Sequence, residues 1–233
     1  MNNFYQLLQR IKNDPVLYLS KPSITCLHLF LMGYLSTRSE IVSDREGKEL
    51  DGFQNWIQAR EKTNLSLSWA NIILRRHLVE NCAFFEFFEL FEQFLKEKDS
   101  REIPNENEDN SHLISQPSNR RPRTLYEFLE WIKHRPGMYL GYSSITRLEM
   151  ILRGYDLARR ELGIPLDEQE REFASFQSWI QNKYEIKSGQ SWGKIILFFS
   201  IDEHEAFTKF FELFEEYLNC HKSDGDKFPA LIQ

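Results

Sequence analysis

A chain of 233 residues with 29 Lys and Arg against 35 Asp and Glu, net charge −6, lacks the basic surplus that phosphate binding needs, so nucleic acid is not an expected partner. Charged and apolar contents are those of an ordinary soluble globular protein, but 19 Phe, 5 Trp and 9 Tyr call for cores built from aromatic side chains. No apolar run approaches the roughly 20 residues needed to cross a bilayer, and the chain opens directly into an amphipathic segment without a charged-then-apolar leader, so a cytoplasmic protein away from the membrane is expected.

The elements then come twice. Tyr5-Gln-Leu-Leu-Gln-Arg-Ile-Lys12 returns as Tyr126-Glu-Phe-Leu-Glu-Trp-Ile-Lys133. In the second copy Thr124 and Glu127 have capping-box spacing ahead of an apolar face of Leu125, Phe128, Leu129 and Ile132. Asn3 and Gln6 take those roles in the first copy, before Phe4, Leu7, Leu8 and Ile11. Pro15 and Pro136 are expected to end this helix, because proline drives the residue before it out of helical geometry. Tyr18-Leu19 and Tyr139-Leu140 then form a turn, with glycines (Gly137, Gly141) only in the second copy.

Ser23 and Ser144 are good N-caps for a second helix, whose core faces are Ile24, Leu27, Leu31, Tyr34 and Ile145, Leu148, Leu152, Tyr155. The most variable stretch follows, residues 36–50 and 157–172, where the register slips by two residues. Phe53-Gln-Asn-Trp-Ile-Gln58 then recurs as Phe176-Gln-Ser-Trp-Ile-Gln181 in a third helix. Ser68-Trp69 recurs as Ser191-Trp192 at the start of a fourth. The last helix places Phe84, Phe87, Phe88, Phe91, Phe94 and Leu95, or Phe207, Phe210, Phe211, Phe214, Tyr217 and Leu218, on one helical face. Ser200 and Glu203 have capping-box spacing at its start.

No strand pattern competes. The expected fold is all-α: two tandem copies, residues 1–98 and 124–221, each a bundle of about five helices. Residues 99–123 carry Pro, Asn, Ser and charges with almost nothing apolar, and read as a flexible linker. Residues 222–233 form a tail.

Candidate chemistry is thin. Arg135-Pro-Gly-Met-Tyr-Leu-Gly141 looks like a short piece of the ATP-binding domain of type II topoisomerases, but no glycine-rich phosphate loop or strand accompanies it. It reads as a helix-ending turn with a buried tyrosine. Asp202-Glu-His-Glu205 lacks the second histidine, four residues on, that a helical zinc site requires. Acidic residues at a helix start are favourable against its dipole. Ser68 and Ser191 have no histidine base nearby and read as caps. Cys26, Cys82 and Cys220 have no CxxC spacing and no equivalents between copies. No catalytic residue, metal or cofactor is expected.

Charge is distributed unevenly. Residues 1–98 hold 12 basic and 12 acidic residues, whereas residues 124–233 hold 13 and 18. An electrostatic partner is therefore expected to be basic and to meet the second copy. Within it, Asp167-Glu-Gln-Glu-Arg-Glu172 opens the third helix. Asp167, Glu168, Glu170 and Glu172 are the candidate partner-binding residues, where the first copy has the less acidic Arg45-Glu-Gly-Lys-Glu-Leu-Asp51.

The ordered set IK-x-x-P-x-x-Y-L, S-I-T-x-L, G-Y, F-Q-x-W-I, S-W-x-x-I-I-L and F-F-E-L-F resembles that of a group of small bacterial helical proteins. Some of these accompany secreted polymorphic or contact-dependent toxins and are regarded as their immunity proteins. The likeness covers both copies and excludes the linker and tail. It departs from the group's pattern at Pro15-Val16, where a proline-glycine turn is commoner, and in being tandem. The resemblance implies a cytoplasmic, non-enzymatic protein that binds a toxin domain with a basic surface and blocks it. The alternative is a helical adaptor with two binding surfaces for another protein.

Overall fold

A computed structural model describes residues 3–41, 50–100 and 124–225 of the chain. Most of the first copy's variable segment, the expected linker from residue 101 on and the tail from residue 226 lie outside the described residues, as do the side chains of Asn3, residues 40–41 and residues 221–225. The chain is all-helical, with twelve helices and no strand among the described residues. They are α1 (Asn3–Asn13), α2 (Pro15–Leu19), α3 (Ile24–Ile41), α4 (Phe53–Arg60), α5 (Trp69–His77), α6 (Glu80–Ser100), α7 (Leu125–His134), α8 (Pro136–Tyr139), α9 (Ile145–Glu161), α10 (Glu168–Lys183), α11 (Trp192–Phe198) and α12 (Glu203–Gly225). The chain divides into two compact units, Met1–Asn119 with Met150–Gly163, and Arg120–Glu149 with Ile164–Gln233.

The prolines do not lead into a turn. Pro15 and Pro136 occupy the first positions of the short helices α2 and α8, which makes six helices among the described residues of each half of the sequence where about five were expected. Proline lacks the N–H that a first helical residue cannot use, and its fixed φ is already helical. In α2 the preceding Asp14 accepts the Leu17 N–H at 3.3 Å. Each short helix is followed by left-handed backbone, at Ser20 (φ 64°) and at Gly141 (φ 81°). Serine bears in one copy what glycine bears without steric cost in the other. Tyr139, expected to be buried, is half-buried; Leu140 next to it is buried.

Expected caps hold where the serine faces its own helix start. Ser23 Oγ accepts the Cys26 N–H at 3.1 Å and Ser144 Oγ the Arg147 N–H at 3.2 Å. Ser68 and Ser191 cap α5 and α11. Thr124 Oγ1 accepts the Glu127 N–H at 3.2 Å.

Each unit is filled by rings. In the first, Phe53 of α4 meets Phe87, Phe91 and Phe94 of α6 at centroid separations of 5.7, 5.5 and 5.5 Å. In the second, Phe176 of α10 meets Phe210, Phe214 and Tyr217 of α12 at 5.7, 5.3 and 5.5 Å. Trp69 lies 4.7 Å from Phe87, and Trp192 4.7 Å from Phe210. Edge-on ring packing of this kind adds to plain burial. The glutamine of each F-Q-x-W-I segment ties the next helix in place. Gln54 accepts the Trp69 N–H at 2.6 Å and donates to the Leu67 carbonyl at 3.0 Å. Gln177 accepts the Trp192 N–H at 2.7 Å and donates to the Gln190 carbonyl at 3.0 Å.

Inside the first unit, α3 and the later part of α9 approach backbone to backbone. A Cβ built on Gly33 would stand 2.1 Å from the Ile151 carbonyl oxygen, and one on Gly154 would stand 2.0 Å from that of Phe30. Only glycine permits so close a crossing. Gly154→Ala should therefore cost about 3 kcal/mol, the upper range of overpacking, seen as a lowered denaturant midpoint. Gly137→Ala, where nothing lies within 4 Å, should leave the midpoint in place. Equal midpoints for the two variants would refute the tight crossing.

Candidate functional site

Three surfaces carry polar or apolar groups beyond ordinary packing. The first is a carboxylate at the start of the last helix in each half. Glu80 receives Ser23 Oγ–H at 2.7 Å, the Thr25 N–H at 3.0 Å and Thr25 Oγ1–H at 2.7 Å. Glu203 receives Ser144 Oγ–H at 2.7 Å, the Thr146 N–H at 3.0 Å and Thr146 Oγ1–H at 2.6 Å. Both carboxylates are saturated by protein donors and serve the fold. Sequence reading missed Glu80; the signal was a glutamate four residues before the first phenylalanine of the aromatic stripe in both halves of the sequence, Glu80 before Phe84 and Glu203 before Phe207.

This clamp also corrects the expected Ser200–Glu203 capping box. Glu203 is taken by Ser144 and Thr146, and Ser200 Oγ donates to the Ile196 carbonyl at 2.8 Å. The cap moves two residues on: Asp202 Oδ1 accepts the Glu205 N–H at 2.8 Å, and the Glu205 carboxylate accepts the Ile201 N–H. Three of the four residues of Asp202-Glu-His-Glu205 are thereby assigned to helix starts. Among the described residues no group of three His, Cys, Asp or Glu is arranged to hold a metal.

The second surface is the acidic start of α10. Asp167 and Glu170 form a reciprocal capping box, with Asp167 Oδ1 accepting the Glu170 N–H at 2.9 Å and Glu170 Oε2 accepting the Asp167 N–H at 2.9 Å. Glu170 is buried. Glu172 accepts a 2.5 Å hydrogen bond from the Tyr126 hydroxyl, and the Glu172 carbonyl accepts the Tyr217 hydroxyl at 2.9 Å. Desolvation, then the bond to Glu172, pushes the Tyr126 pKa far above its ordinary value. Of the four candidate partner-binding residues, three are thus held in intramolecular bonds, and Glu168 is an exposed carboxylate with no such bond among the described residues.

The third surface went unread in the sequence. At the α11–α12 corner Phe198 is 80% exposed, Ile201 92% and Phe199 40%. The Phe199 ring stacks on Tyr184 at 4.6 Å and its carbonyl accepts Lys209 Nζ at 2.7 Å. Asp202 follows directly. The α5–α6 corner occupies the same place in the repeat, with Leu78 84% exposed, and it also exposes Val79. There the flanking residues are Arg75, Arg76 and His77, of which Arg76 pairs with Glu61 at 2.6 Å and Glu86 at 3.1 Å, and His77 is bonded to Glu86 at 2.6 Å. Leu78 has φ 56° and ψ 11°, a left-handed cap position where glycine is usual and a leucine costs about 1 kcal/mol. Both the backbone and the side chain of Leu78 are unfavourable for the isolated fold. Contiguous exposed apolar groups with a polar rim mark contact surfaces.

No family model matches the sequence, and no curated protein or solved structure matches it.

The acidic start of α10 makes a direct comparison possible. Glu170→Gln should lower stability by about 1 kcal/mol through loss of a charged cap, and Glu203→Ala by about 3 kcal/mol through loss of charge-assisted bonds to three donors. Glu168→Gln should stay within about 0.5 kcal/mol of the parent. Urea melts yielding one common value for all three would overturn these assignments.

Proposed function

We propose that the protein is a non-enzymatic binding module that neutralises a bacterial toxin domain by direct contact and occlusion. The observation that carries the binding reading is the α11–α12 corner, which exposes Phe198, Phe199 and Ile201 beside Asp202. An apolar anchor of this size, on a half of the sequence with an excess of five acidic residues, suits a partner whose apolar recess is rimmed by Lys and Arg. Glu168, exposed at the start of α10, extends the acidic field on the same half of the chain. The toxin identity of that partner rests on the resemblance of the repeated motifs to immunity proteins. Cytoplasmic residence belongs to the same reading. No helix among the described residues is long and apolar enough to cross a membrane.

The finer architecture belongs to this proposal too. Matching caps, glutamine ties, carboxylate clamps and ring contacts support two tandem copies of one helical module. A helical adaptor with two binding surfaces is the second reading. It is favoured by one specific observation: the equivalent corners differ in chemistry, aromatic with an exposed Phe198 at α11–α12 and aliphatic with exposed Leu78 and Val79 at α5–α6.

The test begins with the neighbouring genes. A large secreted protein with a small variable C-terminal domain would supply the partner, and that domain would be expressed and titrated against this chain. Ile201→Asp and Phe198→Asp should each weaken binding at least about tenfold, as expected for anchor residues, and Glu168→Lys should slow association most at low salt. Unchanged affinity for both corner variants would refute this surface. Absence of any binding to that domain would refute the toxin reading.

A further inference from the structure

The crossing of α3 and α9 inside the first unit is reciprocal. Gly33 and Gly154 hold the same place in the repeat, and so do Phe30 and Ile151. Gly33 lies against the Ile151 carbonyl, and Gly154 against the Phe30 carbonyl. A contact in which each surface offers the other the same two positions is the mark of a two-fold pairing of like faces. One turn on, the small residues Thr37 and Ala158 again share a place, and both are buried. The approach is between backbones, so the glycines set it and the differing side chains around them do not.

The polar groups follow the same rule. The pattern G-Y-x-x-x-R-x-E is written in both helices, as Gly33, Tyr34, Arg38 and Glu40 and as Gly154, Tyr155, Arg159 and Glu161. Each arginine lies over the tyrosine one turn before it, Arg38 at 5.5 Å and Arg159 at 5.8 Å. Glu161 of α9 accepts the Tyr34 hydroxyl at 2.6 Å, lies 3.8 Å from Arg38 and pairs with Arg10 of α1 at 2.7 Å. The sequence of each helix thus carries both the tyrosine and arginine donors and a carboxylate of the kind that receives them. None of these contacts requires α3 and α9 to come from one chain. We propose that this face is a self-recognition surface whose partner, besides the chain's own α9, is a second copy of the chain. In that two-fold dimer α9 of each molecule crosses α3 of the other. The dimer makes the bonds that the single chain makes, so concentration divides the two forms. Tethering within one chain is worth on the order of a millimolar of free partner, which sets the range where exchange competes. The exposed corners take no part, so the proposal stands whatever they bind.

Wild-type chains, half of them labelled with heavy nitrogen, are denatured, refolded together under reducing conditions and weighed intact by native mass spectrometry. Monomer should prevail at micromolar concentration, and the share of mixed light–heavy dimer should rise at least tenfold towards the millimolar range. Gly33→Leu/Gly154→Leu, with every such crossing obstructed, should form at least tenfold less dimer. A mixture of the two single variants removes the competing closed form. Gly33→Leu keeps an intact α9 and Gly154→Leu an intact α3, and neither can close on itself. In equal amounts they should sediment as a one-to-one dimer where the double variant stays monomeric, with helix content retained. Wild-type chains that refold only to monomer across the series would overturn the proposal, whether or not the leucine variants fold. So would a double variant that dimerises as readily as the parent, or folded single variants that stay monomeric when mixed.

Discussion

Two helix starts meet at one carboxylate in each half of this protein, and the rest of the packing follows from that junction. The N-terminal end of a helix carries a partial positive charge and unpaired N–H groups. Bringing two such ends together is unfavourable unless an anion lies between them. Glu80 stands on the first turn of α6 while accepting the first-turn donors of α3, and Glu203 does the same between α12 and the start of α9. One charge thus serves two dipoles, through bonds stronger than those between neutral groups. In the first unit, with this end fixed, α3 lies along α6 and α5, and the phenylalanine stripe of α6 is held against Phe53.

What was legible in the sequence is what is local. A capping serine, a proline that ends the helix before it and an i, i+3, i+4 aromatic stripe each declare themselves within a few residues. Glu80 and Glu203 do not, because their partners lie 55–59 residues away. Gln54 and Gln177 were visible as repeated letters, but their work, holding the next helix by its first N–H, appears only in three dimensions. At the start of α12 the spacing of Ser200 and Glu203 suggests a capping box, but the cap is made by Asp202 with Glu205. Local spacing could not show this, because the serine and threonine that claim Glu203 are distant in sequence.

The site was less legible than the fold for a related reason. A run of carboxylates reads as surface charge, yet at the start of α10 the helix consumes Asp167 and Glu170, and Tyr126 holds Glu172. Conversely, Phe198, the last residue of α11, and Ile201, three residues beyond it, stand in solvent although both are apolar. Across the two halves the residues that set caps, ties and ring contacts recur, while the corner changes from Arg75-Arg76-His77-Leu78-Val79 to Phe198-Phe199-Ser200-Ile201-Asp202. The framework is held constant and the chemistry varies where the framework does not constrain it.

The crossing of Gly33 and Gly154 has a consequence for synthesis. Because Met150–Gly163 belongs to the first compact unit, the leading half of the nascent chain emerges from the ribosome without one of its own helices. Its α3 face around Gly33 stays open until more than a hundred further residues have been translated, and a closure of that length is slow to nucleate. Folding of the leading unit is thus timed by translation of the trailing one. A stop or stall before Glu161 would release a polypeptide with an uncovered helix face, a natural substrate for chaperones and proteases.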